Sequence, residues 1–208
     1  LVQADYAAAL LECRALQRLE RTALANGCLG LHSAYTGKLA QARTYLQQAL
    51  SATQDPGNRL WILTRMGEVQ AWQGQPAAAE QSYRQALALG LDDAYLLAAW
   101  TDFLLDQQRP AEVVKALKNW ESSDGLLLRL ALAETELGLP QARAHVQALG
   151  DRFAAARQRN DTTHRAEEAR FLLNLKGNAV QALAVAVANF QVQREPRDAR
   201  IVLEAALA

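Results

Sequence analysis

The sequence is poor in the residues that mark several protein classes. Aromatic residues make up 6% of its 208 positions, and it has 11 glycines, 5 prolines and only 2 cysteines. So few cysteines exclude a scaffold held together by many disulfides. The scarcity of glycine, proline and aromatic residues leaves few signals for turns or strands. The abundant Ala, Leu, Gln, Arg and Glu instead predict helix almost throughout.

A net charge is also absent. The 22 Lys and Arg residues balance the 22 Asp and Glu residues, and no run of like charges occurs. The sequence therefore lacks the electrostatic signature of a nucleic-acid-binding protein, and we expect no nucleic-acid partner. No stretch approaches the roughly 18 apolar residues that a membrane helix needs, so we also expect no insertion into a membrane.

The clearest positive feature is internal repetition. Glycines recur between apolar helical stretches at Gly37, Gly74, Gly138 and Gly177, and the Gln107–Pro110 turn takes the same place between the second and third of them. About five residues after each turn comes a small residue, then a bulky one four positions later, and often another small one three beyond. This pattern returns about every 34 residues, which is typical of a repeated helix–turn–helix unit. Its copies begin at Ala9, Ala42, Ala79, Val113 and Ala182.

The spacing resembles the tetratricopeptide repeat, whose pattern is W-x₂-L-G-x₂-Y, then A-x₃-F, then P, over 34 residues. Residues 60–93 match it best, with Met66-Gly67 in the first helix and Ala79-x₃-Tyr83 in the second. Residues 23–56 follow, whereas 94–123 and 163–196 match more loosely and 124–162 departs furthest. The resemblance covers nearly the whole chain, and its specificity comes from recurrence.

This resemblance implies an all-α, right-handed solenoid of antiparallel helix pairs, with about five repeats and a partial unit at each end. We expect one repeat domain over residues 1–208, which would be a fragment of a longer protein. The expected units are 1–22 (partial), 23–59, 60–93, 94–123, 124–162, 163–196 and 197–208 (partial).

Close packing within each pair needs small side chains. Antiparallel helices approach most closely where these occur, so Gly30 should face Ala42, and Gly67 should face Ala79. A bulky residue one turn later, Tyr83 in the best copy, should fill the space between one unit and the next. An irregular helical bundle is the alternative.

The two cysteines, Cys13 and Cys28, fall on adjoining predicted helices. They could form a disulfide in an oxidising compartment, or could be two buried free thiols. A metal site of Cys13, Cys28 and His32 is a third interpretation, but it lacks a convincing fourth ligand.

Nothing in the sequence predicts an enzyme. The chain has no GxSxG, P-loop or GxGxxG motif, and its three histidines share no metal-binding spacing. Adjacent acids such as Glu167 and Glu168 point apart on a helix and make a poor acid–base pair. We therefore expect no catalytic residues, no cofactor and no metal.

The resemblance implies a binding surface on the first helices of successive units, at six positions of each repeat. Transferred by position, the candidate groove residues are Trp61, Thr64, Arg65, Glu68, Trp72, Tyr95, Asp102, Asp106 and Arg129. The aromatic and acidic residues among them would suit an extended peptide with basic and apolar side chains. We expect a partly exposed aromatic set beside one acidic patch. Packing of Trp61 and Trp72 between units is the alternative for those two residues.

The chaperone-tail clamp of this family uses Lys and Asn at the fifth and ninth positions. Here those positions hold Thr64, Glu68, Ala98 and Asp102, so an acidic chaperone C-terminus is disfavoured. We expect instead a non-enzymatic scaffold that binds another protein or peptide. A spacer or self-association module, forming a homo-oligomer, is the alternative.

The segment 93–106, followed by Arg109-Pro110-Ala111-Glu112, looks like a group of bacterial tetratricopeptide proteins without an assigned activity. The exported character of that group favours a periplasmic location and agrees with a cysteine pair. The cytoplasm is the alternative location.

Overall fold

A computed structural model describes all 208 residues. It contains twelve α-helices and no strand, which confirms the all-helical fold class. In chain order the helices are α1 (Tyr6–Arg18), α2 (Thr22–Tyr35), α3 (Leu39–Ser51), α4 (Pro56–Trp72), α5 (Pro76–Leu87), α6 (Ala94–Asp106), α7 (Pro110–Ala116), α8 (Asp124–Glu136), α9 (Ala142–Gln158), α10 (Arg165–Asn174), α11 (Ala179–Phe190) and α12 (Pro196–Leu207).

Apart from the first two residues, the chain divides into two compact units. The N-terminal unit is Gln3–Trp100 and the C-terminal unit is Thr101–Ala208, so the boundary falls within α6. In the N-terminal unit, α1 packs on α2, α2 on α3, α3 on α4 and α4 on α5, and α2 also contacts α4. In the C-terminal unit, α7 packs on α8, α8 on α9, α10 on α11 and α11 on α12, while α10 also contacts α8 and α12. Packing between chain neighbours and between every second helix is typical of stacked helix pairs.

The turns inside the helix pairs share one backbone conformation. Gly37, Gly74, Gly138 and Gly177 all have positive φ angles, between 63° and 79°. A left-handed residue ends a helix by letting the backbone satisfy the last carbonyl groups, and glycine adopts this conformation without strain. Gln108 takes the same conformation, with φ of 56°, after α6. The turn without glycine therefore has the geometry of the others.

Close helix contacts form where the repeat pattern places small residues. A Cβ atom on Gly67 would lie 2.7 Å from the ring of Tyr83, and one on Gly30 would lie 2.8 Å from the side chain of Leu46 and 3.5 Å from the backbone of Ala42. Because the two side-chain distances are shorter than van der Waals contact, only glycine lets the helices of a pair come this close. In these two pairs the bulky residue of the second helix thus lies against the glycine of the first helix.

The cores of the two units are built from small and branched apolar side chains. In the N-terminal unit one buried cluster joins α2, α3 and α4: Ala34, Ala42, Leu46, Ala49, Ile62, Met66 and Val69. In the C-terminal unit one buried cluster joins α10, α11 and α12: Ala169, Ala186 and Ile201. Phe153 of α9 packs against Phe171 of α10 with ring centroids 5.3 Å apart.

Candidate functional site

Four of the candidate groove residues form one network in the N-terminal unit. Trp61, Arg65 and Glu68 lie on one side of α4, and Tyr95 lies in the first turn of α6. The Arg65 guanidinium lies 4.1 Å from the centroid of the Tyr95 ring and 5.9 Å from that of Trp61. It also forms an ion pair with Glu68 at 2.9 Å. The Tyr95 hydroxyl donates a hydrogen bond to Glu68 at 2.6 Å and accepts one from Arg65.

This network is mostly shielded from solvent. The Arg65 and Glu68 side chains are 11% and 16% exposed. Burial acts to lower the pKa of Arg65, but the charges of Glu68 and the nearby tyrosines more than offset it and raise that pKa. Glu68 therefore faces a permanent positive charge, and the pair presents no free acidic group to a partner.

The two tryptophans of α4 have different surroundings. A Cβ atom on Gly27 of α2 would lie 2.6 Å from the Trp61 ring, so Trp61 packs tightly between the first helices of two pairs. Trp72 lies at the end of α4 beside Tyr35 at the end of α2, with ring centroids 6.4 Å apart, and is 41% exposed. Trp72 is thus the aromatic candidate that offers substantial free surface.

Thr64 and Arg129 are buried. Thr64 is 1% exposed, and its hydroxyl donates to the Leu60 carbonyl oxygen at 2.8 Å within α4. Arg129, on α8, is 6% exposed. Neither side chain offers an open group for direct contact with a partner.

In the C-terminal unit, Asp102 joins three first helices. Its two carboxylate oxygens accept hydrogen bonds from Arg129 of α8, at 2.6 Å, and from Arg170 of α10. Desolvation acts to raise the pKa of Asp102, but the two guanidinium groups more than offset it and lower that pKa to about 2. Asp102 is therefore ionised over the whole physiological range.

These residues line a small cleft with a volume of about 80 Å³. Its walls come from α6, α8, α10 and α12, the first helices of successive pairs. The lining side chains are Asp102, Leu128, Arg129, Ala166, Glu167, Arg170, Arg197, Arg200, Ile201 and Glu204. The cleft thus combines four guanidinium groups and three carboxylates with a few apolar side chains.

Asp106 is paired as well. Both of its oxygens accept hydrogen bonds from Arg200 of α12, at 2.7 and 2.8 Å, and Arg200 also pairs with Glu204 at 2.6 Å. The carboxylates of Glu68, Asp102 and Asp106 thus each have an arginine partner. The expectation of a peptide with basic side chains depended on unpaired acids, and this geometry removes that basis.

Reasoning from the repeat pattern missed Arg170, Arg197 and Arg200. They line the cleft from α10 and α12 but lie outside the six positions that the family resemblance assigns to the groove. The available signal was their placement on predicted first helices, where a long charged side chain can reach the neighbouring repeat.

The two cysteines lie together at the start of the N-terminal unit. A disulfide joins Cys13 of α1 to Cys28 of α2, with the Cα atoms 5.3 Å apart. Cys13 is the one fully buried residue of α1. A bonded pair leaves no thiolate to bind a metal ion.

Comparison with known proteins gives a family match for part of the chain. The sequence model of the tetratricopeptide repeat family matches residues 21–92. No helix of the structure combines the length and the apolar character required to cross a bilayer. No curated protein matches the sequence with significance.

Solved structures give the same assignment for the fold. YrrB, described as a tetratricopeptide repeat protein with an unusual peptide-binding site, aligns with a TM-score of 0.53 at 14% identity, over 94% of this chain and 97% of YrrB. PilF of Pseudomonas aeruginosa aligns with a TM-score of 0.56 at 21% identity, over 90% of each chain. TTC0263, a tetratricopeptide repeat protein of Thermus thermophilus, aligns with a TM-score of 0.55 at 17% identity, over 88% of this chain and 98% of TTC0263. The chain therefore shares the fold of these tetratricopeptide repeat proteins, and residues 21–92 match the sequence model of that family.

Proposed function

We propose that the protein is a non-enzymatic scaffold that binds an extended segment of another protein in the cleft of the C-terminal unit. The observation that carries this proposal is the origin of the cleft walls, since each of the four first helices in this unit contributes to them. A surface built from successive repeats can contact consecutive residues of a bound segment. Proteins of this family generally act as interaction modules, and YrrB, to which the chain is similar, is described as having a peptide-binding site.

The chemistry of the cleft supports a polypeptide as the ligand. Ala166 gives apolar contact, while Arg197 and Arg200, whose side chains are 50% and 54% exposed, can bind backbone carbonyl or carboxylate oxygens. A segment with alternating apolar and polar side chains matches such a lining. In the N-terminal unit, Trp72 is the groove candidate that offers a second apolar contact.

A displayed library of random 12-residue peptides tests the proposal. We expect enriched peptides to slow amide hydrogen exchange in α8, α10 and α12, whose side chains line the cleft. Ala166→Asp, at a half-buried position of the cleft lining, should abolish the binding of these peptides, because the added carboxylate would disrupt the apolar part of the cleft. The matched control is Val180→Asp on α11, which is 85% exposed and lies outside the cleft lining. Binding that survives in the cleft variant, or is lost equally in the control, would contradict the proposal.

Self-association is the second candidate function, and exposed leucines favour it. Leu203 and Leu207 lie one turn apart on α12 and are 63% and 88% exposed, while Leu11 of α1 and Leu19, directly after α1, are 63% and 69% exposed. Apolar side chains this exposed are typical of surfaces that bind another protein. Sedimentation velocity over a range of protein concentrations would reveal a dimer. If the leucines hold that dimer, Leu203→Glu with Leu207→Glu should return it to the monomer.

A further inference from the structure

The C-terminal cleft contains one arginine whose hydrogen-bonding capacity is mostly unused. A guanidinium group has five N–H donors. Arg170 uses one nitrogen, Nη1, to bind Asp102, and neither its Nε nor its Nη2 has a protein partner. The side chain is 22% exposed and lines the cleft. Arg170 therefore offers donors, partly shielded from water, to a bound ligand.

The position of this group is set in advance. Asp102 accepts from Arg170 through one oxygen and from Arg129 through the other, so the carboxylate fixes the guanidinium relative to α6 and α8. Because the pKa of Asp102 is held at about 2, this anchor stays charged at neutral pH. A fixed guanidinium loses little conformational entropy when it binds a planar anion in a bidentate manner.

The other charged groups of the cleft are already paired or more open to solvent. Arg200 is shared between Asp106 and Glu204, and these three side chains are 39–54% exposed, so solvent screens them strongly. Glu167 lies 3.7 Å from His164 and is 24% exposed. An anion entering the cleft would thus gain most at Arg170.

From these observations we propose that the cleft selects segments carrying an acidic side chain, which binds the free donors of Arg170. The inference rests on the proposed function, since it specifies what the same cleft prefers. An apolar side chain flanking the acid would contact Ala166, which lines the same cleft. A charge-assisted pair in a partly shielded site predicts a clear preference for a carboxylate over the neutral amide of the same shape.

Three peptide libraries on an identical Ala/Leu/Ser background test this inference, with Glu, Gln or Lys fixed at the central position. Binding of each library to the full 208-residue chain is measured by fluorescence anisotropy at low and physiological salt. We expect the Glu library to bind about tenfold more tightly than the Gln library, and the Lys library to bind most weakly. The difference should shrink as the salt concentration rises.

Two variants distinguish a specific contact with Arg170 from the overall charge of the protein. Arg170→Ala should remove the preference for Glu without unfolding the chain, because Asp102 keeps its pair with Arg129. Arg170→Lys should restore it only in part, because a lysine lacks the planar fork. The control is Arg143→Gln, an exposed position of α9 outside the cleft lining, which should leave the preference unchanged.

Each outcome decides one of the two proposals. Equal binding of the Glu and Gln libraries, lost in Ala166→Asp, would keep the scaffold function and overturn the acidic preference. A preference for Glu that persists in Arg170→Ala would also overturn it. If no library binds in a manner that depends on the cleft, the proposed function itself fails, and this inference fails with it.

Discussion

The two units of the chain use different chemistry on the first helices of their pairs. In the N-terminal unit, aromatic rings and glycines dominate, since Trp61 packs on Gly27 and Arg65 is enclosed by Tyr95 and Trp61. In the C-terminal unit, ion pairs join the first helices of different pairs, and the paired residues lie far apart in the sequence. Asp102 pairs with Arg170, and Asp106 with Arg200. In the N-terminal unit the side chains on the first helices pack against one another, whereas in the C-terminal unit they line a charged cleft.

This difference explains where the family signature is visible. The match to the family covers residues 21–92, all of it within the N-terminal unit. There the repeat depends on glycine at close contacts, as at Gly30 and Gly67, and the family pattern records such residues. The C-terminal unit keeps the helix pairs but holds its first helices with arginines and carboxylates that a repeat pattern does not specify. The same fold can therefore keep its geometry while its inner chemistry changes.

The largest expected effect comes from removing the disulfide of the N-terminal unit, for which the C-terminal unit has no counterpart. The bond between Cys13 and Cys28 closes a loop of 15 positions, so it should stabilise the N-terminal unit by about 3 kcal/mol in the chain-entropy model. Urea unfolding of the oxidised protein and of the Cys13→Ser, Cys28→Ser variant measures this difference. Exchange of the α1 amides should speed up in the variant, while that of the α10 and α11 amides should not.

The pairing itself is checked by mass spectrometry of non-reduced peptides from protein made in a periplasm. Two free thiols in that material would refute the link. Equal free energies of unfolding for the oxidised protein and the variant would instead show that α1 contributes little to the unit.

The next effect tests close packing in the N-terminal unit. Gly67→Ala would place a methyl group about 2.7 Å from the ring of Tyr83, which is 2% exposed and has no room to move away. We expect the free energy of unfolding to fall by about 2 kcal/mol because of overpacking. Urea unfolding followed by far-ultraviolet circular dichroism measures it.

Gly57→Ala is the matched control on the same helix. A Cβ atom there would meet only the Asp55 carboxylate, at 3.4 Å. Alanine also favours helix over glycine, so this variant should be neutral or slightly stabilising. Equal stability of the two variants would mean that the α4–α5 contact adjusts freely, and the contrast between the units would weaken.

The third effect tests the ion pairs that Asp102 forms in the C-terminal unit. The pKa of Asp102 is about 2 in the folded protein, below its ordinary value. A lowered pKa gives stability that is present above the unfolded value of about 4 and is lost as the pH falls towards 2. Asp102→Asn should therefore cost about 2 kcal/mol at pH 7 and much less at pH 2.

Urea unfolding of the parent protein and of Asp102→Asn at both pH values measures this change. Asp92→Asn, at an exposed loop position of the N-terminal unit, is the control and should have little effect at either pH. A cost for Asp102→Asn that is the same at pH 2 and pH 7 would show that the side chain acts through shape rather than charge.

Much of the fold could be predicted because it depends on local signals. The helices follow from composition and periodicity, and the turns from glycines such as Gly74, which must adopt positive φ. The inner face could be predicted less well. Burial of Thr64 and the pairing of Asp102 with Arg170 depend on how neighbouring helices meet, and the residues of that pair lie 68 positions apart. A single sequence carries no local signal for such a contact.

The smallest expected effect concerns His164, at the start of α10. The Glu167 carboxylate, 3.7 Å away, raises its pKa, and partial desolvation opposes this only in part. A raised pKa gives stability that is fully present below the unfolded value of about 6.5 and is lost as the pH rises through the folded value. Because the His164 side chain is 45% exposed, screening should limit the contribution to a few tenths of a kcal/mol. An NMR titration of the imidazole should give a pKa above 6.5 in the parent protein and one closer to 6.5 in Glu167→Gln. A titration unchanged by Glu167→Gln would show that the two groups do not interact in solution, and it would remove this pair from the ionic contacts that distinguish the C-terminal unit.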